Sequence, residues 1–181
     1  MNLTTNRNSR FFKGFLYVVC ILFSGVILAA TEEPKYSVLL KEDAFELRQY
    51  APQLVAETAV NGDMDSASSQ GFRAIADFIF GNNKAPGQNT SAKIAMTAPV
   101  TMEAQNQQWR LHFVMPQGMV LGSLPKPVDA SVQLRELPAQ RMAAVRFSGL
   151  TTAASIERQT QLLKDWLARN NLEFEDRPQL A

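Results

Sequence analysis

The sequence predicts an α+β fold, an antiparallel sheet with two helices gathered on one face, on three observations. From Tyr36 onward, apolar and polar residues alternate in short runs separated by Pro, Gly, Asn and Asp, the pattern of half-buried strands joined by turns. Two stretches instead repeat apolar residues at three- and four-residue spacing, so two helices are expected. The order strand, strand, helix, strand, strand then begins again, which describes two β-α-β-β units although no residue identity links the halves.

In chain order, Tyr36 to Leu40 and Phe45 to Val60 read as strands, the second interrupted at Ala51-Pro52, and Asn61-Gly62-Asp63 reads as a turn. Asp63 or Asp65 is placed to cap a helix whose inward face is Ala67, Phe72, Ile75, Ala76 and Ile79, with Gly81 as its stop. Residues 82–91, rich in Asn, Gly and Pro, form a surface loop. In Lys93 to Pro116 two alternating runs follow. Ile94, Met96, Ala98, Val100 and Met102 share one face of the first, and Trp109, Leu111, Phe113 and Met115 share one face of the second, with Pro99 marking an edge or a bulge. After the turn-rich Gly122 to Pro127, strands are expected at Ser131 to Leu137 and Arg141 to Phe147. Thr151 or Thr152 then caps a second helix with Ile156, Leu163, Trp166 and Leu167 inward and Asn170-Asn171 at its end.

The first thirty residues have a different character. Arg7, Arg10 and Lys13 precede an apolar run from Gly14 to Ala30, and no acidic residue occurs before Glu32, as in a secretory signal. As a helix that run is about 25 Å long, short of the ~30 Å hydrocarbon core, so a permanent anchor over residues 14–30 is the alternative to cleavage after Ala30. Either way the domain at 31–181 is expected outside the cytoplasm, periplasmic or held at the inner membrane, with membrane contact only through this segment. Cys20 lies within the apolar run without the small neighbours of a lipid-modified cysteine. Without the leader's three basic residues, the chain's 18 Lys and Arg fall to 15 against 17 Asp and Glu, a net charge of about −2. Such a chain has no basic stripe for nucleic acid. It also has no cysteine for disulfides or thiolate ligation.

The Lys93 to Val100 segment, KIAMTAPV, and the Phe113 to Pro116 segment, FVMP, resemble the signature of the SOUL/haem-binding protein family, a Lys-Ile-x-Met-Thr-x-Pro-Val strand followed by a Phe-x-Met-Pro strand end. The resemblance extends to FELRQYAPQLVAET at Phe45 to Thr58, to Gly71-Phe72 through Gly81, to Leu124 to Pro127, and to RMAAVRFSG at Arg141 to Gly149. It implies a distorted antiparallel β-barrel or strongly curved sheet flanked by two helices, and a tetrapyrrole ligand held in an apolar cleft beside the first helix. Members of that family usually continue for about two dozen residues past the part matching Phe174 to Ala181, so the domain is expected to lack the family's C-terminal strand.

Haem is a flat apolar ring with two carboxylates, so a protein that holds it needs an apolar wall, cations for the propionates and, optionally, an axial ligand. Phe72, Ile75 and Ile79 with Met96, and further Met102, Trp109, Phe113 and Met115, are the candidate walls. Arg73, Lys84 and Lys93 are the candidate cations, with solvated charges as the plainer reading. His112, the single histidine, is the candidate axial metal ligand, although alternation turns it away from Phe113 and Met115, where a solvated or hydrogen-bonded surface residue is the ordinary expectation. Six of the seven methionines lie beyond the leader, as gap-fillers or ligands. No nucleophile-base pair, phosphate loop or metal-ligand spacing is present, so no enzyme is expected. The leading expectation is an exported, non-enzymatic haem or tetrapyrrole carrier or buffer. Its rivals are a small-molecule effector-binding module of the multidrug-response type, which takes flat apolar cations, and a ligand-free envelope interaction protein.

Overall fold

The computed structural model describes residues 31–88 and 90–181, so the leader, with Cys20 and its expected cleavage or anchoring, lies outside the described residues. The strands are β1 (Tyr36–Glu42), β2 (Phe45–Tyr50), β3 (Gln53–Asn61), β4 (Asn83–Lys84), β5 (Val100–Gln105), β6 (Gln108–Val114), β7 (Lys126–Pro127), β8 (Gln133–Leu137), β9 (Gln140–Val145) and β10 (Gln179–Leu180). The helices are α1 (Met64–Phe80) and α2 (Ala153–Arg169). A three-stranded sheet has the order β1-β2-β9, a five-stranded one β10-β5-β6-β3-β8, and β4 pairs with β7. Strand pairing is antiparallel throughout these sheets, and among the described residues the strands do not close into a barrel. The expected α+β curved sheet with two flanking helices is therefore the arrangement found.

Two sheets arise from one long ladder. The segment β2–β3 runs beside β8–β9 with Tyr50 opposite Gln140 and Gln53 opposite Leu137. Between those pairs the unshifted register brings Ala51-Pro52 opposite Pro138-Ala139, and proline supplies no N–H to a ladder. Both strands break at the same level, and each half of the ladder recruits different outer neighbours, β1 for β2 and β6 for β3.

Each sheet carries its own helix. Asp63 caps α1 by accepting from the Ser66 N–H at 2.9 Å, and Gly81 ends it at a φ of 127° that a side chain would oppose. Against β3 and β6, α1 buries Ala67, Gly71, Ile75, Phe78 and Ile79, of which Ile75, Phe78 and Ile79 join Ala56, Ile94, Leu111, Phe113 and Met115 in the main core. Phe72 is not on that inward face. It is 47% exposed, and Gly71 takes the place next to the sheet because a β-carbon there would stand 2.5 Å from Leu111 Cδ1. A larger residue there would require the Leu111 side chain to shift. On the three-stranded sheet, Thr152 caps α2 in a reciprocal box with Ser155. Trp166 is fully buried, stacks on Phe45 with ring centroids 5.7 Å apart and donates Nε1–H to Glu42 at 2.8 Å.

The first run of Lys93 to Pro116 departs from the expected strand. Its strand begins at Val100, after Pro99, because the preceding backbone is bonded elsewhere: the Ile94 N–H to Ile79 O at the end of α1, and the Ala98 N–H to Glu32 O, each near 2.8 to 2.9 Å. The Asn82 to Ser91 loop contains the short β4, and residues 179–180 add β10 to the free side of β5.

Phe113 is fully buried in the main core, so Phe113→Ala is expected to lower the unfolding free energy by about 3–5 kcal/mol, measured by urea denaturation. A variant that unfolds with the parent's midpoint would remove Phe113 from the core.

Candidate functional site

The expected haem residues do not converge on one place. Ile75 and Ile79 are each 1% exposed and spent on the core. Phe72 lies on the outer side of α1, in a four-residue row with Ala76 and the exposed Phe80, and Arg73 is exposed beside it. Met96 is 36% exposed in the irregular stretch before β5. None of these residues, nor His112, lines either of the two main cavities.

His112 is buried rather than solvated. It lies on the face of the five-stranded sheet opposite α1, directly across from Glu57 of β3 on one side and Thr101 of β5 on the other. Its Nε2 stands 3.3 Å from Glu57 Oε2, which Arg135 Nε of β8 also approaches at 3.3 Å, while Arg110 lies 3.8 Å from the other oxygen. Glu103, also buried, accepts from Gln179 Nε2 of β10 at 3.1 Å. Burial pushes the His112 pKa down, and the opposing pull of Glu103 and Glu57 does not restore it against Arg110 and Arg135. The imidazole is therefore held neutral, its Nε2 and Glu57 Oε2 approach without hydrogen-bond alignment, and the ring is aimed at a carboxylate rather than at an open cavity.

The smaller cavity, about 320 Å³, lies between the β4–β7 pair and the turn at residues 121–123. Pro86, Leu121, Leu124 and Leu134 supply an apolar lining, and Lys84 and Lys126 supply two ammonium groups. Those lysines are cross-strand partners, so their side chains leave the same face of the ladder a few ångströms apart. The ion pairs found among the described residues involve neither of them. Asn83 sets their register: its buried side chain donates to Phe78 O and Ala92 O at 2.7 and 2.8 Å and accepts from the Ala92 N–H at 3.0 Å. Lys84 was legible as a cation of the loop, whereas nothing in the sequence marks Lys126 as its partner.

The larger cavity, about 570 Å³, opens at the break in the long ladder. Its walls are the segment Glu32–Lys35, the Ala51-Pro52 corner and the loop Pro116–Leu121, with Glu136 on the rim. Glu32 ties the first wall down, its side chain accepting from the Gln117 N–H and its carbonyl from the Ala98 N–H, both at 2.8 Å.

The neutral, buried imidazole gives a pH dependence of known sign. An unfolded histidine titrates near 6.5 and the folded one lower, so as pH falls through 6.5 the unfolded chain takes up the proton first and the fold loses stability until the folded ring also titrates. The carboxylates held low, Glu46, Asp63 and Asp129, act only below their ordinary values of 4.5 and 3.8. Urea midpoints are expected to fall between pH 7.5 and 5.5 in the parent and to stay nearly level in His112→Gln; an equal fall in both would place the titrating group elsewhere.

No curated protein matches the chain. A family model does, that of SOUL heme-binding protein, over residues 31–180, which takes in every strand and both helices described above. That match covers most of the chain and agrees with the curved antiparallel sheet and its two helices, so the chain belongs to the SOUL heme-binding protein family.

Proposed function

We propose that the protein is an exported, non-enzymatic binder of haem or a related tetrapyrrole, acting as a carrier or buffer, and that the ligand is held at the smaller cavity. The family is a haem-binding one, which gives the ligand class. The observation that carries the site is the Lys84–Lys126 pair beside an apolar lining: two adjacent ammonium groups answer two propionates, and Pro86, Leu121 and Leu134 answer the ring. A cavity of about 320 Å³ covers only part of such a ring, which suits a protein that must release it. His112, being buried against Glu57, gives no axial ligand in this reading, so the hold is by apolar contact and propionate pairing. Support for export is the basic, acid-free leader and its apolar run.

Titration of the purified protein with haemin, followed in the Soret band, is expected to give a saturable shift in the micromolar range. Lys84→Glu with Lys126→Glu should weaken it at least tenfold, about 1.4 kcal/mol, while His112→Ala weakens it less than about tenfold. Phe72→Asp, an exposed change on α1, is expected to leave it within about threefold of the parent. If Phe72→Asp abolishes the shift and the lysine double variant keeps it, the ligand lies on the outer face of α1 instead. Loss of the shift with His112→Ala in a folded variant replaces this reading by axial ligation, and no shift in the folded parent ends the haem assignment. For export, the intact mass of protein from the cell envelope is expected to match a chain starting near Thr31; a full-length cytoplasmic product overturns it, and a full-length membrane-bound product favours the anchor.

A further inference from the structure

We propose that the larger cavity is a second binding site, for a bulky apolar organic cation. Its volume of about 570 Å³ is in the range of small-molecule pockets. Leu54, Met115 and Met119 give it an apolar wall among the polar Gln53, Thr97 and Gln117, and the half-buried Met119 is a side chain that reshapes around irregular ligands. At its mouth Val120 and Leu121, the latter shared with the smaller cavity, are 61% and 48% exposed, adjacent large aliphatic side chains.

The charge around that apolar lining is one-sided. Glu32, Glu33 and Glu136 contribute carboxylates and Lys35 the one ammonium in the lining. Glu32 has one oxygen committed to the Gln117 N–H, so Glu33 and Glu136, both exposed, are the free carboxylates of the rim, two against the one exposed ammonium of Lys35. A concave apolar surface under a negative rim concentrates cations and focuses the field on them. A haem-like dianion meets repulsion there, the opposite of the lysine pair at the smaller cavity. A small metal ion is not the fit, since no group of three metal-ligating side chains occurs among the described residues and a hydrated ion gains nothing from Leu54 or Met115. A large cation whose charge is buried inside apolar groups sheds little hydration on entry and uses both features. The assignment stands on this cavity alone and does not depend on haem binding at the other.

The test is a matched pair of probes of the same shape and opposite charge, tetraphenylphosphonium and tetraphenylborate, titrated calorimetrically into the protein as purified from cells. Tetraphenylphosphonium is expected to bind saturably and at least tenfold more tightly than tetraphenylborate. Glu33→Gln with Glu136→Gln should weaken the phosphonium at least tenfold without weakening the borate, whereas Lys84→Gln with Lys126→Gln should leave it within about threefold of the parent. Equal affinity for the two ions, no saturable phosphonium binding, or an unchanged affinity in the glutamate double variant overturns the proposal. Loss of phosphonium binding in the lysine double variant also overturns it, by placing the cation in the smaller cavity.

Discussion

The constraint on which the molecule depends is the inability of proline to donate in a ladder, exercised at one level in two paired strands. Pro52 and Pro138 sit between the β2–β9 and β3–β8 pairings, where neither can donate a ladder hydrogen bond. The break lets each half of the ladder take different neighbours, so that α1 covers one sheet and α2 packs against β9 of the other. The larger cavity opens where the ladder is interrupted, with Ala51, Pro52 and Gln53 in its lining. The division into two sheets and the larger cavity thus meet at one corner.

Close approach is the second organising demand. At Gly71, α1 lies so near to β6 that the Leu111 side chain occupies the space a β-carbon would need. Phe72 and Phe80 then fall on the outside, four-residue neighbours of Ala76, while Ile75, Phe78 and Ile79 fill the core. The same sheet hides a polar group of mixed charge on its other face, where Glu57 meets one imidazole and two guanidinium groups. Each of those contacts exceeds ordinary hydrogen-bond length, so the cluster is held by its surroundings more than by its own bonds.

Most of the fold was legible in the residues and much of the site was not, for definable reasons. Alternation, the caps at Asp63 and Thr152 and the stop at Gly81 are local signals, and they place the helices and the principal strands of both units. Periodicity could not say that a glycine rather than its phenylalanine neighbour faces the sheet, because that is decided by the distance between elements. Nor could it show residues 93–99 leaving the extended register, since their bonds go to Ile79 and to Glu32, far away in sequence. Alternation put His112 on the face opposite Phe113 correctly, yet that face is buried, and no pattern along a single strand reports what lies above it. Lys126 became a candidate only through its pairing with Lys84 across β4 and β7.

Asn83 carries a consequence for the protein's chemical durability. Its amide nitrogen donates to two carbonyl oxygens while its amide oxygen receives a single N–H, all inside the protein. Slow hydrolysis of that amide to a carboxylate would leave Phe78 O and Ala92 O facing an anion, and relief would require the loop to move. The spacing of the two lysines would then change with no change to either lysine. Material aged in this way would keep its charged groups at the smaller cavity while losing their alignment, so the shape of the cavity depends on a single buried amide staying intact.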